Sequence, residues 1–291
     1  MNRTAGSYCL FIASMLIFGT IGIFRRFIPL SSAMLAFARG MLGSAGLLLF
    51  TKLRGRSIRH HIGIRKTALL ALTGTLIGIN WILLFEAYNH TTVAIATLCY
   101  YMEPTIVILL SPLLLREKLG IRPLVCAAAA VAGMVLVSGA AEGGSSGSGS
   151  TSGILLGLGA AVFYASVVIL NKKVTIEDAY EKTIIQLFSA SVVLIPYLLL
   201  TEDLSAVQAD STAVIMTLTV GLVHTGAAYA MYFGSMQDLK AQSAAVLSYI
   251  DPVSALLLSA VFLNERLTAA GIAGAVLIIG SALVSELGPK K

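Results

Sequence analysis

The feature that most constrains this chain is a duplication. Tyr101-Met102-Glu103-Pro104, followed by Leu115-Arg116-Glu117-Lys118-Leu119, returns as Tyr249-Ile250-Asp251-Pro252, followed by Leu263-Asn264-Glu265-Arg266-Leu267. A constant offset of 148 residues also aligns Ala96 with Ala244 and residues 109–111 with 257–259, without a gap. Chance similarity between greasy segments rarely keeps acids and prolines in register, so the chain reads as two copies of one unit.

The solvent for that unit follows from its residues. Of 291 residues, 57% are apolar and 12% charged, whereas a soluble domain carries about 25% charged residues. Apolar stretches of about 20 residues cross a hydrocarbon core. The chain is therefore expected to be a polytopic membrane protein embedded in a lipid bilayer. The net charge of +6 is explained by loop positions and is no nucleic-acid signature. Cys9, Cys99 and Cys126 lie in apolar runs with no paired spacing, which supports neither a disulfide framework nor a zinc site. No glycine-rich phosphate loop, metal-ligand cluster or nucleophilic triad appears. No enzyme, cofactor or metal is expected, and ATP-driven pumping by this chain alone is excluded.

Hydrophobic runs place ten spans at about 7–24, 32–51, 67–88, 91–115, 119–139, 153–170, 182–201, 212–236, 239–263 and 268–285. Gly40, Gly43 and Gly46 give the second span a small-residue face, and the third contains Gly74-x-x-x-Gly78, both suited to close helix packing. Gly143 to Gly153 is almost wholly Gly and Ser and reads as a flexible linker. The units are then 1–139, a linker at 140–152, and 153–291.

Basic residues fix an orientation. With the N-terminus inside, the inner side carries Arg3, the six basic residues after the second span (Lys52 to Lys66), Arg116, Lys118, Arg122, Lys172, Lys173, Lys182, Lys240, Lys290 and Lys291. The outer side keeps Arg25, Arg26 and Arg266. This asymmetry predicts cytoplasmic termini in a plasma-membrane (cell inner membrane) protein. Five spans per unit is odd, so the second unit lies upside down relative to the first. The fold class is all-α membrane protein, ten transmembrane helices as two inverted five-helix repeats. Such repeats place a site near the bilayer midplane and give two access states.

These signatures resemble the EamA-type members of the drug/metabolite transporter superfamily over essentially the whole length. The resemblance rests on two five-span repeats, each with a proline-containing helix (Pro104, Pro252), a Leu-x-Glu-basic-Leu signature (Leu115–Leu119, Leu263–Leu267) and a Gly/Ala-rich last helix. It implies a central cavity lined by spans 1, 3, 4, 6, 8 and 9, and alternating access. It also implies mostly export of amino acids, metabolites or drugs, often driven by protons. The acid before each proline is not a fixed feature of that family, so the roles of Glu103 and Asp251 are not inherited from it.

Ionisable groups inside spans are costly and face the protein interior or a watery cavity. Asp251 precedes Pro252, which frees a backbone carbonyl one turn back, near Leu247-Ser248; Ser248 is expected to satisfy it. Glu103 sits at the matching depth and is expected to meet Asp251 across the cavity, where two nearby acids would not both ionise. Each reads as a proton site or as a buried structural carboxyl. Glu86, near the outer end of the third span, reads as a cavity-mouth acid or a solvated helix end. Arg39 is its expected counter-charge, as a structural bridge. His224 in the eighth span suits a proton relay beside Asp251, or packing.

Trp81 and Tyr229 are related by the repeat offset. With Tyr100, Tyr164 and Tyr232 they offer aromatic walls to an organic solute, or ordinary packing and interfacial belts. Asn80 adds a polar contact. Glu117 and Glu265 precede the last helices of the two units and read as helix caps.

The expected activity is secondary transport of a small organic metabolite, an amino acid or related amine, by alternating access and proton-coupled export. The alternatives are a gradient-independent facilitator or importer of a quaternary amine, nucleoside or sugar, and a lipid-carrier flippase. A monomer and a homodimer are both compatible with the sequence.

Overall fold

The computed structural model describes residues 3–25, 27–55, 63–91, 93–137, 151–174, 178–203, 210–262 and 268–286. Their regular structure is helical throughout: α1 (Arg3–Arg25), α2 (Ser32–Leu53), α3 (Ile64–His90), α4 (Val93–Tyr100), α5 (Glu103–Leu115) and α6 (Ile121–Val137) in the first half. The second half follows with α7 (Thr151–Lys173), α8 (Ala179–Thr201), α9 (Ser211–Thr219), a π-helical segment (Val220–Ala227), α10 (Ala228–Met236), α11 (Ala241–Ser248), α12 (Ile250–Phe262) and α13 (Ala269–Glu286). Arg26, Arg56, Arg59, most of the Gly/Ser linker, the Leu263–Leu267 signature with Glu265, and the basic Lys290 and Lys291 lie outside the described residues.

The protein is an all-α membrane protein. Six helical stretches are long and apolar enough to cross a bilayer: α1, α2, α3, α7, α8 and the α9–π–α10 unit. The other four spans are α6 and α13 and two broken pairs, α4–α5 and α11–α12. The surface is inside-out relative to a soluble domain. Leu200 and Leu113 are 85% and 78% exposed, while Thr73, Asn80, Asn171, Lys182 and Gln186 are fully buried. An apolar exterior fits a hydrocarbon solvent, which leaves every polar group to be satisfied internally.

The repeat is visible in the helices themselves. The sequence offset carries Arg3 at the start of α1 onto Thr151 at the start of α7, Val93 of α4 onto Ala241 of α11, and Ile121 of α6 onto Ala269 of α13. An odd number of spans turns the second half over, so each half packs on the other through matching pairs. α1 packs on α12 as α7 packs on α5; α2 lies against α8, and α6 against α13.

Glycines set these approaches. A Cβ on Gly78 of α3 would come within 2.7 Å of the Ala190 carbonyl of α8, and one on Gly43 within 3.0 Å of the Gly221 carbonyl. Close backbone packing of this kind supplies association energy that apolar side chains cannot provide in lipid.

Polar side chains then cross-link the elements. Gln186 of α8 donates to Thr73 of α3 (2.7 Å) and to the Asn171 side chain of α7 (2.9 Å). Lys182 donates to the Asn171 carbonyl (3.3 Å) and lies 5.9 Å from the Phe233 ring centre. The sequence places Lys182 among solvated loop cations at the start of a span. α8 in fact begins three residues earlier, capped by Asp178, whose Oδ1 accepts from the Tyr180 amide, and Lys182 is turned inward. The linker also ends earlier than expected, because Thr151 to Gly153 already belong to α7 and Gly153 packs against Thr91.

Candidate functional site

Proline places the centre of the molecule. Pro104 and Pro252 lack an amide proton, so the carbonyls four residues earlier, of Tyr100 and Ser248, have no helical partner there. The fourth and ninth spans break at these points: α4 ends at Tyr100 and α5 begins at Glu103, and α11 ends at Ser248 with α12 following at Ile250. Glu103 and Asp251 consequently occupy first turns of new helices. There the positive end of the backbone dipoles favours an acid. Ser248 does not satisfy the freed carbonyl as expected; its hydroxyl donates to Ala245 within α11, at 2.7 Å.

The two breaks are tied to one another. Tyr249 donates to the Tyr101 carbonyl at 3.1 Å and lies 3.3 Å from the Thr105 hydroxyl. Tyr101 in turn donates to Asp251 Oδ2 at 3.2 Å. Tyr101 and Tyr249 are equivalent under the repeat, so the halves clasp through the same residue taken twice.

Around the breaks lies an aromatic cluster. The Tyr100 and Tyr164 ring centres are 6.0 Å apart, and those of Tyr229 and Tyr232 6.4 Å. Tyr164 is a close neighbour of both Tyr229 and Tyr232. Phe18 and Phe11 of α1 pack on the rings of Tyr229 and Tyr232. Glu103 is 6% exposed. It does not touch Asp251, as the sequence led us to expect, but both acids interact electrostatically with Tyr100 and Tyr232. The carboxylates share a cluster without forming a dyad.

Arg39 is the correction of most consequence. Glu86 takes a hydrogen bond from Tyr197 of α8 at 2.5 Å and lies 3.9 Å from His90, and the expected Arg39–Glu86 bridge is not formed. Arg39 instead points inward. Its guanidinium stands 5.1 Å from the Trp81 ring centre and is near enough to Tyr229 and Asp251 to act on both electrostatically. An intramembrane arginine was signal enough to raise this. Sequence reasoning missed its direction because two opposite charges near the outer ends of neighbouring spans invite pairing.

His224 sits in the π segment, a helix type that recurs at functional sites. Its Nε2 lies 2.7 Å from the Thr20 hydroxyl of α1 and its Nδ1 3.5 Å from the Thr219 carbonyl, with Phe24 edge-on at 4.6 Å. Neither nitrogen reaches a carboxylate, so a direct His224–Asp251 relay is not built. Asn80 donates to the Ala160 carbonyl at 2.7 Å, which ties α3 to α7, while its Oδ1 is buried without a partner. The structure thus brings Trp81, Tyr100, Glu103, Tyr164, Tyr229, Tyr232 and Asp251 together with Arg39. Glu86 is drawn away toward Tyr197, and Asn80 and His224 are held by neighbouring helices.

A second polar cluster closes one end of the bundle. Ser7 of α1 donates to Asp238 (2.6 Å), and Lys172 of α7 donates to the carbonyls of Met236, Gln237 and Leu239 at and just past the end of α10. Glu117 accepts from the Ala241 amide at 2.9 Å. It therefore caps α11 of the other half rather than the α6 that follows it. A separate cavity of about 590 Å³ lies between α1, α2, α8, the π segment and α10, lined by apolar side chains with Ser7, Ser235 and Asp238 as its polar residues besides Tyr180.

A bundle of two five-span repeats with broken helices, each carrying an acid at its break, is the architecture of a membrane transporter. The model of the EamA-like transporter family matches residues 5–139 and again 151–286, and the chain belongs to that family. It is similar to the uncharacterized transporter YxxF of Bacillus subtilis, 30% identical over 256 residues, which cover 88% of this chain and 81% of the relative. An uncharacterized transporter of Archaeoglobus fulgidus is 26% identical over 94% of each chain. Protein PecM of Dickeya dadantii is 27% identical over 72% of this chain and 70% of its own. A solved crystal structure superposes with a TM-score of 0.84 over 98% of this chain and 99% of the other, at 20% identity. That likeness concerns the fold.

Proposed function

We propose that this EamA-like transporter is a secondary active exporter of a small organic metabolite, an amino acid or related amine, coupled to protons by alternating access. The observation that carries the reading is the pair of symmetry-related helix breaks. Each presents a carboxylate, Glu103 or Asp251, to one tyrosine cluster. Discontinuous helices meeting at midplane depth are where such folds bind solute and coupling ion. Carboxyls removed from bulk water and partnered by tyrosine hydroxyls are suited to taking and giving a proton. A plasma-membrane orientation with cytoplasmic termini follows from loop charge. The Ser7–Asp238, Lys172 and Glu117 contacts then lie on the inner side, as a latch that export requires to open.

The test is flux in proteoliposomes carrying a pH gradient. Asp251→Asn and Glu103→Gln are expected to uncouple solute movement from the gradient, while folding and solute binding persist. Unchanged gradient-driven transport in both variants discards the scheme.

The aromatic wall supports a second reading, a gradient-independent facilitator of a quaternary amine. In that case the parent protein's flux ignores the pH gradient. A flippase needs a cavity open to the lipid together with a basic headgroup pocket. The cavity between α1, α2, α8, the π segment and α10 has Asp238 and no basic residue in its lining, so that reading is the weaker one.

A further inference from the structure

We infer that Arg39 is the receptor for a carboxylate on the transported solute, so that the site selects amino acids and related carboxylates over bare amines. The inference rests on reading the tyrosine cluster as the solute site.

A guanidinium has five N–H donors in a planar fork, and its placement inside a membrane protein is costly unless an anion or acceptor meets it. In this structure few of those donors are used. The Arg39 Nε is buried without a hydrogen-bond partner, and one face of the guanidinium lies over Trp81. No described carboxylate lies within 4 Å, because Glu86 is held by Tyr197 and Asp251 by Tyr101. A planar two-oxygen anion is what this fork matches.

The surroundings describe the rest of the ligand. Asp251 is close enough to Arg39 to interact with it electrostatically, and Glu103 shares the neighbours Tyr100 and Tyr232 with Asp251. A zwitterion then finds opposite charges at its two ends: carboxylate on Arg39, ammonium toward the acids, and an apolar side chain against the tyrosine rings. Two acids and one arginine favour the zwitterion over either single charge. The repeat does not explain Arg39, since its equivalent in the second half is Leu187. A purely architectural residue of a duplicated fold would more readily recur.

Trp81 is the sole tryptophan of the chain and touches Arg39, so its fluorescence reports on this spot. Purified protein at one fixed pH is titrated with L-phenylalanine, 3-phenylpropionate, L-phenylalaninamide and 2-phenylethylamine. The two carboxylates are expected to change Trp81 emission saturably, and the amide and amine to bind about tenfold more weakly or worse. Arg39→Gln should weaken both carboxylates by about ten- to a hundredfold and leave the amine within about twofold. Arg39→Lys, a point charge without the fork, should fall between them. The unliganded Tm of each variant checks folding, and Arg39→Lys carries the test if Arg39→Gln fails to fold.

Amide or amine binding as tight as carboxylate binding, or an Arg39→Gln variant with unchanged carboxylate affinity, overturns the role of Arg39 and leaves the solute site standing. Silence of Trp81 toward all four probes overturns both.

Discussion

The two halves of this protein share a scaffold and differ in their chemistry. α3 runs unbroken for 27 residues, whereas its equivalent is interrupted by an eight-residue π segment that carries His224. At equivalent positions Trp81 corresponds to Tyr229, Asn80 to Ala228, His224 to Leu76, and Arg39 to Leu187. What the halves do share lies at the break: a tyrosine, an acid and a proline, offset by 148 residues. Duplication has preserved the helix break and the carboxylates, and divergence has placed cation, histidine and most tyrosines in one half or the other. On the proposed reading, a solute in the middle meets an asymmetric site inside a near-symmetric scaffold.

The sharpest way to break that comparison is to change its common element. If each half contributes one coupling acid, Asp251→Asn and Glu103→Gln each abolish acceleration of solute efflux by a proton gradient directed into the cell. The double variant is then no worse than the weaker single. An effect confined to one acid assigns coupling to one half. Measured in proteoliposomes, this is the largest effect we expect.

Packing separates the halves next. Gly78 and Gly226 are repeat equivalents, but a Cβ on Gly78 meets the Ala190 carbonyl at 2.7 Å and one on Gly226 meets the Gly43 carbonyl at 3.2 Å. Gly78→Ala should therefore destabilise the bundle by about 1–3 kcal/mol, the usual cost of overpacking. At Gly226 the gain in helix propensity, about 1 kcal/mol, should offset a milder clash. Thermal unfolding in detergent gives both values, and equal losses would refute the asymmetry.

Smaller still are the two clasping tyrosines. Tyr249→Phe removes the bond to the Tyr101 carbonyl, and Tyr101→Phe the bond to Asp251. Each should cost about 0.6 kcal/mol, the average for interhelical bonds in membranes. Only Tyr101→Phe should also shift the pH profile of transport.

Much of this was legible in the sequence because the bilayer imposes strong rules. Apolar runs gave the spans, and Gly40, Gly43, Gly74 and Gly78 gave packing faces; the repeated prolines marked a freed carbonyl, while the fourth and ninth spans were expected as continuous helices and are each split in two. Directions of single side chains were not legible. Arg39 and Glu86 share an outer-end depth, and nothing in one dimension says that Tyr197 claims one while Trp81 and Tyr229 draw the other. Lys182 looked like a loop cation because a run of polar residues precedes it; only the α3–α7–α8 packing shows it buried over Phe233. Glu117 has an obvious local helix to cap and caps a distant one, since the inverted partner brings the Ala241 amide to it. The π segment left no sequence signal beyond its glycines.

The claim beneath all of this is that equivalent positions of the two halves face opposite sides of the membrane around one shared site. Gly63 and Ser211 are equivalents, both exposed, at the starts of α3 and α9. In a cysteine-free background, Gly63→Cys and Ser211→Cys are labelled in intact cells with a membrane-impermeant maleimide. Residue 211 should react at once and residue 63 only after the membrane is opened. Reaction of both from the same side would contradict the account.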